Sequence, residues 1–245
     1  EIYTLSLHDA LPISTSKVYV SAFIDDLKDR RDRDLFRPSG FQVYIGRQGS
    51  GKTISAVRHV IELKKRYPDA LVITNLNLNV EWKYKQFSTV DELVHLLVNE
   101  ENGKYGLIYL IDEIHTYFNS LESKGIPPYM FTEISQQRKG HKLIIGTSQL
   151  FMRIAKPFRE QCDNMISCDT WFGVFTRNRA YDGMKLEVDY DGSLIGEILC
   201  KGYFWHNREL RNSYDTYQKV ISAKDQMMSF DQVVHYDGNR KKRRF

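Results

Sequence analysis

Short apolar runs alternate with charged stretches of helical spacing, a pattern that predicts strands alternating with helices. Phe41-Gln-Val-Tyr-Ile45 is a compact β-rich run. Ile54 to Arg66 follows with helical periodicity, and Pro68-Asp69 breaks it. Ala70-Leu-Val-Ile-Thr-Asn75 is apolar and β-branched, the pattern of a buried strand. Ser88-Thr-Val-Asp91 has the form of a capping box, with Asp in place of Glu or Gln, and opens a helix over Asp91–Asn99. Asn102-Gly103 turns the chain into a second buried strand, Leu107–Ile111. Pro127-Pro128 introduces a helix to about Arg138, and Lys142–Ser148 is another strand. This order predicts an α/β fold built on a doubly wound, mostly parallel sheet. Beyond residue 163 the texture changes. Trp171–Phe175, Lys185–Asp189 and Gly202–Trp205 read as strands, with turns at Asp182-Gly183 and Asp191-Gly192. They predict antiparallel hairpins extending one side of the core.

What joins the first strand to the first helix carries the chemistry. Residues 46–53 read Gly-Arg-Gln-Gly-Ser-Gly-Lys-Thr, a complete G-x-x-x-x-G-K-[ST] phosphate loop. Gly46, Gly49 and Gly51 let the backbone wrap closely, so that amides from Gly46 through Arg47, Gln48 and Ser50 to Thr53 face a polyphosphate. Lys52 reaches the β- and γ-phosphates, and the Thr53 hydroxyl is a magnesium ligand. The helix N-terminus adds its dipole. The pattern predicts a P-loop NTPase site for a nucleoside triphosphate and Mg2+.

The strand Leu107–Ile111 ends in Asp112-Glu113. Many strands end in acidic turns, but this pair lies about 60 residues behind a phosphate loop, with one strand between. Asp112 is placed to hold magnesium and Glu113 to polarise an attacking water as general base. A second carboxylate favours hydrolysis over transfer to a small acceptor. Gln149, closing the strand after Thr147, is placed to contact the γ-phosphate or the lytic water; alternatively Thr147 and Gln149 cap a following helix.

Composition narrows the class only slightly. The chain of 245 residues is 42% hydrophobic and 27% charged, with a net charge of +4, as in ordinary soluble domains. No apolar stretch approaches the roughly 18–20 residues of a membrane span. The three cysteines lack a C-x-x-C pair, which argues against a disulfide framework or zinc site, and structural roles are expected for the seven histidines. Basic residues cluster at Arg138, Lys139, Lys142, Arg153, Lys156 and Arg159, and again over Arg240–Arg244, as suits an anionic partner. Trp171, Phe172 and Phe175 with Arg177 and Arg179 fit a single-strand stacking surface, though a core role is the expectation for aromatics so spaced. Residues 1–14 lack the positive start of a signal peptide and resemble a translated adapter sequence. The expected organisation is that foreign segment, a charged extension over 15–39, an ATPase core over 40–170, a β-rich part of the same domain over 171–235, and a basic tail over 236–245. Within the extension, the mixed-charge stretch Asp25–Asp34 reads as an exposed helix or linker.

Taken together, Gly46–Thr53, Leu107–Glu113 and Gln136–Gln149 resemble the zonular-occludens-toxin-like ATPases of phages and mobile elements, relatives of the HerA and FtsK motors. In that family an Arg-His-x-Gly stretch leads into a strand ending Thr-Gln. Here Arg138-Lys-Gly140 has His141 displaced, and Thr147-Ser-Gln149 has one residue inserted. The likeness covers roughly residues 40–170. It implies an oligomeric ring, with an arginine from a neighbouring subunit acting in trans; Arg138 is preferred over Arg153 and Arg159, with DNA contact as its other role. The resemblance further implies an Mg2+-dependent ATPase motor that translocates or packages DNA, or drives virion assembly and extrusion. Family members at the membrane usually carry a transmembrane helix after the ATPase domain, so partners at a membrane or virion are expected without a span in this chain. The expected location is the bacterial cytoplasm, peripheral at the inner membrane or on a virion. The rival readings are a coat-protein-handling ATPase that never grips DNA and a nucleotide-gated scaffold with negligible hydrolysis.

Overall fold

The computed structural model describes residues 34–118, 140–188 and 194–215. Two compact units divide the chain, residues 1–35 and 36–245, and every described element belongs to the second. The expected helix over residues 127–138, the segment 1–14, the mixed-charge stretch up to residue 33 and the tail 236–245 lie outside the described residues.

Ten strands and four α-helices are described: β1 (Gly40–Ile45), α1 (Lys52–Arg66), β2 (Leu71–Thr74), β3 (Tyr84–Gln86), α2 (Val90–Asn99), β4 (Leu107–Ile111), β5 (Lys142–Ser148), α3 (Lys156–Arg159), β6 (Asn164–Trp171), β7 (Phe175–Asp182), β8 (Glu187–Val188), β9 (Leu194–Ile195), β10 (Ile198–Trp205) and α4 (Arg208–Asn212). Eight strands form one sheet in the order β10-β7-β6-β1-β5-β4-β2-β3. The six from β6 to β3 run parallel, and β7 and β10 add antiparallel strands at one edge. β8 and β9 form a separate ribbon.

Alternation within the strands builds a core on each face. Phe41, Val43, Tyr109, Ile111 and Ile144 point to the face covered by Leu93 and Leu97 of α2. Tyr44, Ile108, Leu110, Leu143 and Ile145 point to the face covered by Ile54, Val57 and Val60 of α1. Helices on both faces leave β4 with all five side chains buried, which is why its sequence is a continuous apolar run rather than an alternating one.

Three expectations are corrected. The capping box sits one residue later than Ser88/Asp91: the Thr89 hydroxyl accepts from Glu92 N at 3.2 Å, and Glu92 Oε2 accepts from Thr89 N at 3.3 Å, so α2 begins at Val90. Glu92 reaches back where the shorter Asp91 side chain would fall short. Trp171–Phe175 is not one strand: Trp171 ends β6, Phe175 begins β7, and Phe172, Gly173 and Val174 form the hairpin turn between them. Phe172 (φ 53°) and Gly173 (φ 67°) are left-handed, and Val174 N donates to Trp171 O at 3.2 Å. Lys142 belongs to no anion-binding cluster; it is buried, and its Nζ donates to Leu97 O at 2.6 Å, satisfying a carbonyl near the end of α2.

Candidate functional site

The parallel strands deliver their C-terminal ends to one edge of the sheet. β1 lies between β5 and β6, so the phosphate loop that leaves it at Gly46 is flanked by two different walls. Gly51 closes the loop as the N-cap of α1 in the left-handed region, φ 83°. A Cβ there would collide with Thr170 Oγ1 and lie 2.7 Å from Thr176 Oγ1, so only glycine lets the loop pack against the β6–β7 hairpin. Lys52, 7% exposed, folds inward, and its Nζ donates to Arg47 O at 3.1 Å. Arg47, Gln48 and Gly49 are exposed around it. The Ser50 hydroxyl is buried without a hydrogen-bond partner in the protein.

On the β5 side, hydroxyls converge on one carboxylate. Thr53 Oγ1 and Thr147 Oγ1 each donate to Asp112 Oδ1 at 2.8 Å. Asn75, at the end of β2, clasps the Asp112 backbone: its Nδ2 donates to Asp112 O at 2.9 Å and its Oδ1 accepts from Asp112 N at 2.8 Å. Burial, reinforced by Glu113, raises the Asp112 pKa above the usual carboxylate range, while the two threonine hydroxyls and Lys52 pull it down. Glu113 then departs from the strand direction at φ 49°, ψ 50°, its N donating to Thr147 Oγ1 at 3.0 Å. Thr147 therefore braces both acids, and no helix cap involves it. Glu113 Oε2 lies 3.2 Å from His115 Nδ1, which is also 3.3 Å from Ser148 Oγ. Burial pushes His115 below the usual imidazole range, against the opposing pull of Glu113.

These groups line a cavity of about 810 Å³ that reaches from Gln48, Lys52 and Thr53 to Asp112, Glu113 and Gln149. Gln149 is half-exposed, and its Oε1 accepts from Arg153 Nη1 at 3.3 Å. Arg138 lies outside the described residues. Several lining residues were not expected from the sequence: His115 beside Glu113, and Thr170, Gly173, His206, Arg211 and Tyr214 from the far wall. A strand end reading Thr-Asn was the available signal for Asn75; the far wall depends on a strand crossover that leaves no local mark.

A magnesium ion fits what is present. Among the described residues no group of three His, Cys, Asp or Glu could hold a metal by itself. A hydroxyl and a buried carboxylate sharing a hydrogen bond are the donor set with which magnesium, completed by phosphates and waters, is commonly held. No helix among the described residues is long and apolar enough to cross a membrane.

Comparison with known proteins follows the same lines. The N-terminal domain of zonular occludens toxin from Neisseria meningitidis has a similar solved structure, with TM-score 0.52 and 12% identity, covering 72% of this chain and 99% of that one. The genome packaging NTPase B204 from Sulfolobus turreted icosahedral virus 2, solved with ATP-gammaS, gives TM-score 0.48 and 15% identity over 66% of this chain and 99% of that one. A search of curated proteins finds no match. The fold is that of the P-loop NTPases. Residues 41–189, which hold the phosphate loop, Asp112, Glu113 and the end of β5, match the family model of the zonular occludens toxin (Zot), and the chain belongs to that family.

Proposed function

We propose that this chain binds ATP with Mg2+ and hydrolyses it, as an oligomeric ATPase motor of a phage or mobile element that moves DNA or drives virion assembly and extrusion. The observation that supports this best is the convergence of Thr53 and Thr147 on Asp112 Oδ1, at 2.8 Å each, with Lys52 and Glu113 in the same cavity. The amides of residues 46–53 and the Lys52 ammonium bind the phosphates, Lys52 exchanging the Arg47 carbonyl for them. The buried Ser50 hydroxyl, without a protein partner, is available to the same anion. Thr53 and Asp112 would hold magnesium, which when bound supplies charge neutralisation on the phosphate oxygens.

Glu113 accepts the proton of the attacking water at its carboxylate, which lies 3.2 Å from His115 Nδ1, while the hydrogen bond from its backbone N–H to Thr147 Oγ1 fixes the backbone that carries it. Gln149, in the cavity wall, positions that water or the γ-phosphate. In the ring, Arg138 of a neighbouring subunit completes the site. DNA, membrane or virion proteins are the proposed partners, with the protein working in the bacterial cytoplasm or docked at its membrane or on the virion.

The test is steady-state ATP hydrolysis by the full chain with equilibrium nucleotide binding. Lys52→Ala should lose both. Glu113→Gln should keep ATP bound and slow turnover by about 10²-fold or more, the usual scale for loss of a general base. Parent-like turnover by Glu113→Gln would remove the general-base assignment.

A further inference from the structure

The outer three strands carry a surface that the nucleotide site does not use. Strand pairing sets Trp171, Phe175 and Trp205 in one cross-strand row, Asp169, Arg177 and Tyr203 in the next, and Ser167, Arg179 and Lys201 in a third. Alternation puts all three rows on one face. That face is open: Trp205 is 71% exposed, Tyr203 54% and Trp171 48%, with Phe172 at the hairpin tip 97% exposed. The core role expected for Trp171 and Phe172 is therefore corrected. Their rings form a continuous platform, with Phe175 centred 4.9 Å from Trp205, 6.0 Å from Trp171 and 6.1 Å from Tyr203. The Arg177 guanidinium lies 5.0 Å above the Trp171 ring. Arg177 and Arg179 share one carboxylate oxygen, Asp169 Oδ2, at 2.9 and 3.0 Å. With Lys201 alongside, the rows hold three cations to one anion.

We propose that this face binds single-stranded nucleic acid, with unpaired bases stacked on Trp171, Phe175, Tyr203 and Trp205 and phosphates neutralised by Arg177, Arg179 and Lys201. Ring faces open to solvent suit bases that are free to leave their own stack, and a duplex keeps its bases inside. The excess of cations suits a polyphosphate backbone better than an apolar protein face. Stacking reads no hydrogen-bond code, so recognition is sequence-tolerant.

The same hairpin meets the nucleotide site from behind. Thr170 and Thr176 point to the opposite face, 2.6 Å apart, and pack on Gly51; Thr176 Oγ1 is also 2.6 Å from His206 Nε2. A strand bound in front and a nucleotide bound behind thus press on one structural element.

The array uses none of the nucleotide-site residues, so its fate can be separated from that of the ATPase reading. The test is fluorescence anisotropy of a labelled oligodeoxythymidine of about 20 nucleotides, and of a duplex of equal length, with the full-length chain at fixed salt, alongside ATP hydrolysis. The single strand should bind more tightly than the duplex and quench tryptophan emission. A Trp205→Ala/Tyr203→Ala double variant should lose at least about tenfold in single-strand affinity while hydrolysing ATP at the parent rate, which shows that it is folded. Unchanged single-strand affinity, or equal losses on the duplex, overturns the proposal. So does a changed sedimentation profile with single-strand affinity intact, which makes the face a self-association surface. Hydrolysis without any single-strand binding sinks this inference alone; aromatic-dependent binding without hydrolysis upholds it and sinks the ATPase reading.

Discussion

At the scale of single residues, tight packing around the phosphate loop makes glycine positions unequal. Gly51 has φ 83° and Thr170 and Thr176 against its missing Cβ, whereas Gly49 has φ 76° and open space. A side chain at either position costs the strain of the left-handed region, about 1–3 kcal/mol. Only Gly51→Ala must also push the β6–β7 hairpin away. Thermal unfolding of the nucleotide-free protein should therefore fall further for Gly51→Ala than for Gly49→Ala, and equal shifts would show that the hairpin yields without cost.

His59 offers a residue-scale test of pH dependence. Its Nδ1 is 2.9 Å from the Tyr44 hydroxyl. Burial lowers its pKa, Arg58 adds to the lowering, and Glu62 opposes it. The unfolded chain then takes up the proton before the folded one. The stability that His59 contributes is complete above the ordinary imidazole value of about 6.5 and is lost as pH falls through the window below it. The melting temperature should drop between pH 7.5 and 5.5, with a smaller drop in His59→Asn. An identical slope in that variant would move the acid sensitivity elsewhere.

At the scale of elements, α2 shows stability separable from the site. Its capping box joins Thr89 and Glu92, and its inward residues Leu93 and Leu97 are buried. Thr89→Ala should cost about 1 kcal/mol, the usual value of such a cap, as a lowered denaturation midpoint with kcat and KM for ATP unchanged. Ser88→Ala should cost less, since the Ser88 hydroxyl has no part in that box. A change in KM from Thr89→Ala would mean that α2 communicates with the loop. The β6–β7 hairpin is the contrasting element. Its sequence Trp171-Phe-Gly-Val-Phe175 looks strand-like, yet Gly173 is the turn signal, because the tight turn uses left-handed backbone at Phe172 and Gly173 and glycine adopts that region freely.

At the scale of the whole molecule, the proposed ring places one subunit's arginine in its neighbour's site. Arg138→Ala should be inactive alone, and mixing it with Glu113→Gln should restore part of the hydrolysis, because some interfaces then pair an intact Arg138 with an intact Glu113. Complete absence of rescue in co-assembled mixtures would place Arg138 in its own subunit or on DNA. The two walls of the cavity come from opposite sides of β1, so the β6–β7 hairpin packs against the phosphate loop at Gly51.

Local chemistry made much of this protein readable from its sequence. The loop at 46–53, the strands β1, β2, β4 and β5, and the approach of Asp112 and Glu113 all follow from short-range patterns, because turn geometry, burial and phosphate binding each demand particular residues at fixed spacings. Tertiary structure decided what depends on strand order. Inserting β5 between β1 and β4 is what brings Thr147 onto Asp112 beside Thr53, and the pairing of β2 on the other side of β4 puts Asn75, just past β2, where it clasps the same acid. Placing β6 on the other flank sets the β6–β7 hairpin against Gly51 and brings His206, Arg211 and Tyr214 into the cavity wall. It also leaves Trp171 and Phe172 exposed where aromatic spacing alone indicated a core. Burial is a property of what packs above a residue, and residues distant along the chain settle that through pairing that their own sequence does not encode locally.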